Sequence, residues 1–287
     1  MECVISLDVG GSSVKSAVVH VADRTDIAVT TTPIDSRGDK HTILVTLKQI
    51  IQRHLLKVRQ RNWSCSGIGV GFPGPFDYAN GVALIRGVEK YEAIYGLNLQ
   101  DKLQTELDGE VLPVRFQNDA VCALIAEARY GEGKLHERVL GIVLGTGMGS
   151  AFVVRGEQVT TGRGIPSYSY LYAEPFAGAA ADDVFSTRGL QARLRRVNEK
   201  LSIPIAAQQA RAGDVELLAV FADFGRDLGT FLTPHATKFQ ADALVLLGGI
   251  AHTSDLFTET LRQHLPIPYY KSSLGDKAGV IGASLSI

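Results

Sequence analysis

The sequence predicts an α/β protein of two similar halves with a ligand-binding cleft between them. Two observations predict this fold. A strand, a glycine turn and a second strand occur at residues 4–21 and again at 139–154, and helices with a further buried strand follow each pair. A repeat at about half the chain length indicates a duplicated α/β domain rather than a short-period solenoid. A cleft between two such halves is the usual place for a small ligand.

The elements of each half follow from the apolar patterns. In the first half we predict strands at 4–7, 14–21, 27–32, 66–71 and 114–116, and helices at 41–61, 99–107 and 120–130. In the second half we predict strands at 139–144, 151–154 and 243–247, and helices at 182–199, at 214–237 and at the end of the chain. The remaining long segments, 72–96 and 160–181, are predicted to be irregular.

The composition excludes several function classes. A net charge of −1 argues against nucleic acid or an acidic membrane surface as the main partner, because neither attracts a neutral protein. The three cysteines, Cys3, Cys65 and Cys122, show no CxxC spacing, which argues against a disulfide framework or a cysteine-based zinc site. No apolar run has membrane-spanning length and the first strand begins near Met1, so we expect a cytoplasmic protein.

The two glycine turns are candidate phosphate sites. The first is Gly10-Gly11-Ser12-Ser13 and the second is Gly145-Thr146-Gly147. Glycine lets the backbone come close to a ligand, and successive N–H groups form an anion-binding nest. One such turn alone would be an ordinary tight hairpin. The pair favours a nucleotide whose phosphates are held from two sides.

Charged residues beside the first turn have both a functional and a structural interpretation. Asp8 ends the first strand, where a carboxylate can hold hydrated Mg²⁺ on nucleotide phosphates. Aspartate is also favoured in turns for its own backbone hydrogen bonds. Lys15 can reach a phosphate, or it can be a solvated lysine on the strand.

Asn118 and Asp119 lie where the strand at 114–116 meets the next helix. Either residue could simply cap that helix. Alternatively, Asp119 could accept a proton from a substrate hydroxyl while Asn118 orients that hydroxyl, as an aspartate does in phosphoryl transfer.

A dinucleotide fingerprint is rejected. Gly69 to Gly74 matches GxGxxG, but the residues after it predict turns and not the helix that this fingerprint needs. The histidines show no HxxxH or HExxH spacing, so a metal site built on them is not expected.

Taken together, these segments resemble the nucleotide-binding fold of sugar kinases, actin and heat-shock proteins, and more closely the ROK family of bacterial sugar kinases. The fold implied is a pair of ribonuclease-H-like, actin-like ATPase domains. Six segments carry the resemblance in order: residues 8–15 (DxGGTxxK), 69–77 (GxGxPGxVD), 118–120 (NDA), 145–149 (second phosphate loop), 246–249 (turn under the adenosine) and 277–283 (closing helix).

The resemblance implies roles for these residues. Asp119 would be the catalytic base, and Asn118 and Gly74 would bind the sugar. The nucleotide would contact Asp8, Gly10, Gly11, Ser12, Ser13, Lys15, Gly145, Thr146, Gly147, Gly248 and Gly249. The expected domains are 1–117, completed by the closing helix 275–287, and 118–274.

The chain departs from the family between residues 162 and 186. The family's GEIGH segment and its cysteine-rich zinc loop are absent there, so no zinc is expected. Asp182, four residues before Ser186, resembles the last sugar-binding glutamate of that region. Glu174 and three tyrosines are candidates for the other sugar contacts, although tyrosines can also serve only to pack a loop: Tyr168, Tyr170 and Tyr172.

The sequence therefore predicts an ATP-dependent sugar kinase that uses Mg²⁺ and forms a homodimer, the dimer by resemblance alone. Two alternatives remain open. Polyphosphate could replace ATP as donor, although no basic run lies near either turn. The chain could also be a non-catalytic protein that binds a sugar or a nucleotide.

Overall fold

The computed structural model describes residues 1–87, 89–166 and 169–287. The strands are β1 Glu2–Val9, β2 Ser13–His20, β3 Thr30–Pro33, β4 Ser64–Phe72, β5 Phe76–Asp77, β6 Val82–Ala83, β7 Thr105–Leu107, β8 Glu110–Leu112, β9 Val114–Asn118, β10 Arg138–Leu144, β11 Met148–Val154, β12 Glu157–Gln158, β13 Pro175–Phe176, β14 Ala179–Ala180, β15 Ala243–Leu247 and β16 Tyr269–Lys271.

The α-helices are α1 Lys40–Gln60, α2 Leu99–Leu103, α3 Asp119–Tyr130, α4 Ala181–Phe185, α5 Thr187–Arg195, α6 Ile203–Arg211, α7 Val215–Phe239, α8 Thr258–His264 and α9 Ala278–Ala283. Short 3₁₀ helices cover Glu92–Ile94, Gly249–Leu256, Gly275–Lys277 and Ser284–Ser286. No helix among the described residues is both long and apolar enough to cross a membrane.

The chain divides into two compact units. Unit 1 comprises residues 1–126 and 274–287, and unit 2 comprises residues 127–273. The division falls inside α3, not directly before Asn118, where the sequence places it. The first turns of α3 belong with unit 1 because Cys122 packs there against α9, where a methyl group on Gly282 would lie 1.8 Å from the Cys122 carbonyl oxygen.

Both units contain a five-stranded sheet of the same topology. The strand order is β3-β2-β1-β4-β9 in unit 1 and β12-β11-β10-β15-β16 in unit 2. In each sheet three consecutive antiparallel strands are extended by two parallel strands. The carboxyl ends of the parallel strands therefore meet at one edge of each sheet, next to the glycine turn.

The sheet of unit 1 is covered on both faces. Alternate residues of β1, such as Ile5 and Leu7, pack with α1 in one apolar core. Ser6 points to the other face and donates a hydrogen bond to the Val280 carbonyl of α9 at 2.5 Å. Helix α1 begins where Asp39 accepts a hydrogen bond from the Thr42 N–H at 2.7 Å.

Two sequence predictions of helices are wrong, and two elements are missed. The helix expected at 99–107 ends at Leu103, since an Asp108-Gly109 turn folds the following residues into the β7–β8 hairpin. The helix expected at 182–199 is divided into α4 and α5 by the extended backbone at Ser186. Helix α6 and strand β16 are not predicted from the sequence.

Helix α1 also buries a histidine. His54 is 1% exposed, and its Nε2 lies 2.9 Å from the Ser16 hydroxyl. Burial, with Lys57 and Arg53 nearby, lowers the pKa of His54 from 6.5 to about 4. Between these values the unfolded chain binds a proton that the folded protein does not bind.

We expect the free energy of unfolding to fall by about 3 kcal/mol as the pH falls from 6.5 to 4, because unfolding then takes up the His54 proton. Urea unfolding measured across this range tests the expectation. His54→Gln should flatten the pH dependence, while the exposed His41 on the same helix provides the control His41→Gln. An equal pH slope in His54→Gln and the wild type would show that His54 is not its source.

Candidate active site

The first glycine turn joins β1 to β2. The Gly10 N–H donates to the Ser13 carbonyl at 2.9 Å and closes the turn. Gly11 and Ser12 are exposed, and their N–H groups make no hydrogen bond within the described part of the chain. Adjacent free amides of this kind form an anion-binding nest. The turn therefore has the geometry that the sequence predicts for a phosphate site.

Lys15 lies opposite Asp8 on the hairpin. It forms an ion pair with Asp276. Its ammonium is 2.6 Å from a carboxylate oxygen of Asp276, just ahead of α9. Phosphate binding by Lys15 stays a prediction, and it would require Lys15 to leave or share this partner.

Asp8 and Asp119 lie on either side of Gly71 at the carboxyl edge of the sheet. Asp8 ends β1, and Asp119 follows β9 at the first position of α3. A methyl group on Gly71 would be 3.6 Å from Asp119 Cα and 3.7 Å from Asp8 Oδ1. Both aspartates are half-buried.

Burial changes the proton affinity of both carboxyl groups, and the proximity of Asp119 acts on Asp8 as well. Burial, and then the charge of Asp119, raises the pKa of Asp8 to about 7. Burial also raises the pKa of Asp119, while the Ala120 N–H and the positive charge of Lys90 oppose the rise. Asp119 Oδ1 accepts the Ala120 N–H at 2.9 Å, and its Oδ2 makes no hydrogen bond among the described residues. Asp119 therefore has one carboxylate oxygen available to a ligand.

The side-chain oxygen of Asn118 caps α3, and its side-chain nitrogen makes a second hydrogen bond. Its Oδ1 accepts the Val121 N–H at 3.1 Å, and its Nδ2 donates to the Tyr78 hydroxyl at 3.0 Å. That hydroxyl in turn donates to the Phe72 carbonyl at 3.1 Å. Gly74 lies beside this pair, since a methyl group on it would be 3.1 Å from the Tyr78 oxygen. The structure thus brings Gly74, Asn118 and Asp119 together within unit 1.

Tyr91 forms a hydrogen bond to the first glycine turn from the apolar core of unit 1. Its ring is fully buried, and its hydroxyl donates to the Gly10 carbonyl at 2.5 Å. Burial and the nearby charge of Asp119 raise the pKa of the Tyr91 phenol, so it stays a hydrogen-bond donor. Sequence reasoning missed both Tyr91 and Tyr78, because their contacts join segments that no local pattern links.

The second glycine turn, in unit 2, joins β10 to β11. The Gly145 N–H donates to the Gly147 carbonyl at 3.0 Å, and the exposed Thr146 and Gly147 have free amides within the described part of the chain. Thr187 donates to the Gly145 carbonyl from both its N–H and its hydroxyl, at 2.8 Å each. The two turns are thus built in the same way.

Asp182 lies against this second turn. One carboxylate oxygen accepts the Met148 N–H at 2.6 Å, and the other is 2.9 Å from Arg188. These contacts hold the turn in place. Sugar binding by Asp182 stays a prediction, although both of its oxygens already have protein partners.

Gly248 and Gly249 follow β15 at the same edge of the unit 2 sheet. Gly248 has a φ of 92°, and a methyl group on it would be 2.3 Å from the Leu144 carbonyl oxygen. Glycine is therefore required at 248, next to the start of the second turn. The structure brings the nucleotide-binding candidates of unit 2 together at one sheet edge.

Residues 169–182 belong to the segment in which the chain departs from the ROK family, and they are partly exposed. Tyr170 and Tyr172 have ring centroids 6.1 Å apart, and Tyr172 is 46% exposed. Glu174 is half-buried, and its charge acts on His235 of α7. Tyr168, a further sequence candidate, lies outside the described residues. The sugar-binding roles in this segment remain predictions.

The comparisons with known proteins agree on one family. The ROK family model matches residues 4–286. The chain is 29% identical over 173 residues to a beta-glucoside kinase of Listeria monocytogenes, covering 60% of this chain and 53%, about half, of that relative. It is 29% identical over 260 residues to an N-acetyl-D-glucosamine kinase of Pasteurella multocida, covering 77% of this chain and 81% of that one.

A solved structure shows the same fold. The ROK hexokinase from Thermus thermophilus superposes with a TM-score of 0.79 at 23% identity, covering 99% of this chain and 97% of that one. The predicted α/β fold class and the resemblance stated from the sequence are confirmed.

We expect Asp8→Asn to raise the free energy of unfolding at pH 8 by about 2–4 kcal/mol. The folded protein holds the Asp8 proton up to a pH of about 7, whereas the unfolded chain releases it near 3.8. The wild type therefore loses stability as the pH rises between these values, and asparagine cannot ionise. Urea unfolding at pH 4 and pH 8 measures the difference, which should vanish at pH 4. The exposed Asp26 gives the control Asp26→Asn; a gain at pH 8 no larger than this control's would contradict the assignment.

Proposed function

This chain belongs to the ROK family, and on that premise we propose that it is an ATP-dependent sugar kinase. It transfers the γ-phosphoryl group of ATP to a hydroxyl of a hexose or a hexose derivative. The relatives that support the sugar class are the kinases of N-acetyl-D-glucosamine and of beta-glucosides.

The observation that carries the proposal is the Asp119 carboxylate. It lies at the carboxyl edge of the sheet, next to Asn118 and Gly74, with Oδ2 making no hydrogen bond among the described residues. In our proposal Asp119 accepts the proton of the attacking hydroxyl, as the aspartate does in other phosphoryl transfers. Asn118, fixed by Tyr78 and the α3 backbone, orients the sugar.

The glycine turns bind the nucleotide in this proposal. In unit 1 the free amides of Gly11 and Ser12 bind phosphate oxygens, with Gly10 and Ser13 closing the turn. In unit 2 the amides of Thr146 and Gly147 do the same, and Gly248 and Gly249 lie beside them for the nucleoside. Amide donors suit phosphates because they are fixed before the ligand binds.

Asp8 is the residue that would hold Mg²⁺, through water. Mg²⁺ keeps most of its water and needs only one or two protein carboxylates besides the phosphates, so a half-buried Asp8 beside Asp119 fits it. When bound, the ion would neutralise phosphate charge. The homodimer and the cytoplasmic location expected from the sequence stay predictions.

We expect one sugar from a panel of hexoses, amino sugars and N-acetylated sugars to stimulate ADP release from Mg-ATP.

Asp119→Asn should lower kcat by about a hundredfold or more, because general-base contributions reach 10²–10⁴. The control is Asp108→Asn, in an exposed turn with a φ of 53° that asparagine tolerates. A repeat with polyphosphate as donor tests the alternative donor.

Near-normal turnover by Asp119→Asn would remove Asp119 from the catalytic role. Sugar binding in calorimetry without turnover of any donor would instead favour a non-catalytic binding protein.

A further inference from the structure

The second glycine turn is held in one conformation by residues of α4 and α5. Its two amides that are free among the described residues belong to Thr146 and Gly147. A glycine-rich turn has several accessible backbone conformations, and only some of them point both amides at one ligand. The contacts that fix the backbone of the turn therefore decide how well the turn binds an anion.

The peptide group between Gly145 and Thr146 is fixed from α5. Thr187, the first residue of α5, donates to the Gly145 carbonyl from both its N–H and its hydroxyl, at 2.8 Å each. In a planar trans peptide the carbonyl and the following N–H point in opposite directions. Because the Gly145 oxygen is held toward Thr187, the Thr146 N–H points away from Thr187.

The peptide group between Gly147 and Met148 is fixed from α4. Its oxygen accepts the Gly145 N–H at 3.0 Å, and its N–H donates to Asp182 Oδ1 at 2.6 Å. An ionised acceptor makes this hydrogen bond stronger than one to a neutral group. The middle peptide group of the turn, which carries the Gly147 N–H, is therefore joined on both sides to a fixed one.

The Asp182 side chain is itself held in place. Its other carboxylate oxygen lies 2.9 Å from Arg188 Nη2, and its backbone N–H donates to the Tyr172 carbonyl at 2.9 Å. A methyl group on Gly147 would lie 3.2 Å from Asp182 Oδ1, so the carboxylate lies directly against the turn. Arg188 offsets the negative charge that Asp182 places beside a phosphate site. Asp182 Oδ1 cannot turn to a sugar hydroxyl without releasing the Met148 N–H.

The first glycine turn is held in a similar way by a different residue. Its Gly10 carbonyl accepts the Tyr91 hydroxyl at 2.5 Å, so the Gly11 N–H points away from Tyr91. In each turn a side-chain hydroxyl therefore holds the carbonyl that precedes the first free amide. The same contact, made by tyrosine in unit 1 and by Thr187 in unit 2, indicates that it serves the amides.

We propose that Asp182 and Thr187 are positioning residues for the nucleotide. They fix the two outer peptide groups of the second turn, so that the amides of Thr146 and Gly147 point at the phosphates before the nucleotide binds. Asp182 then serves the nucleotide and not the sugar, which is the role that the family resemblance implies for it. This inference rests on the proposed kinase function.

The test measures binding of Mg-ADP to the full chain by calorimetry, without sugar. We expect Asp182→Ala to raise the Kd by about tenfold, because the turn loses a hydrogen bond to a charged group. Asp182→Asn keeps an acceptor for the Met148 N–H and should stay within about twofold of the wild type. Thr187→Val loses only the hydroxyl contact and should raise the Kd by about threefold.

The matched control is Asp183→Ala. Asp183 lies next to Asp182 on α4 and pairs with Arg188 at 2.7 Å, but it makes no hydrogen bond to the turn among the described residues. Its removal should leave the Kd for Mg-ADP within about twofold. Thermal unfolding checks that each variant is folded, and Thr187→Val still tests the inference if Asp182→Ala does not fold.

Steady-state kinetics separate this role from a sugar contact. Asp182→Ala should raise the KM for ATP by about the same factor as the Kd and leave the KM for the sugar within about twofold. A general loss of structure would change both constants and would not be restored by Asp182→Asn. If the wild type binds Mg-ADP but phosphorylates no sugar, the kinase proposal fails while the binding measurement still tests Asp182 and Thr187.

Four results would overturn the inference. One is a wild type that binds no Mg-ADP, and another is a Kd that is the same in Asp182→Ala and the wild type. A third is a raised KM for the sugar with an unchanged KM for ATP, which would make Asp182 a sugar ligand. The last is an Asp182→Asn variant that binds as weakly as Asp182→Ala, since the Met148 contact would then not be the cause.

Discussion

The close approach of two carboxyl groups, Asp8 and Asp119, is the constraint on which unit 1 is organised. Parallel strands β1, β4 and β9 bring their carboxyl ends to one edge, where Asp8 and Asp119 lie on either side of Gly71. Two half-buried acids so near each other disfavour double ionisation. The fold tolerates this cost at the edge where the free turn amides lie, as expected of a binding site.

Two further glycines allow helix α9 to pack against the other face of the unit 1 sheet, next to Asp8. A methyl group on Gly279 would lie 2.2 Å from an Asp8 carboxylate oxygen, and one on Gly69 would lie 2.0 Å from the Ala283 carbonyl. Helix α9 can therefore pack on β1 and β4 only because these positions carry no side chain. Helix α9 therefore lies directly against the Asp8 side chain.

Local patterns were enough to predict the paired turns, the aspartate after β1 and the Asn118-Asp119 cap, because each is set by neighbouring residues. The Asp108-Gly109 hairpin also has a local signal, although the apolar spacing at 99–107 favours a helix. The contact of Tyr91 with the first glycine turn could not be predicted. Tyr91 reaches Gly10 across 81 positions of sequence, and its left-handed backbone is imposed by tertiary contacts.

The most direct test of the account is the identity of the product. Phosphorus-31 NMR of the wild type with Mg-ATP and the sugar panel separates transfer to a hydroxyl from hydrolysis. If the chain is a sugar kinase, a new sugar phosphomonoester signal should grow in equal amount with ADP. Inorganic phosphate with ADP and no phosphomonoester, for every sugar, would contradict it.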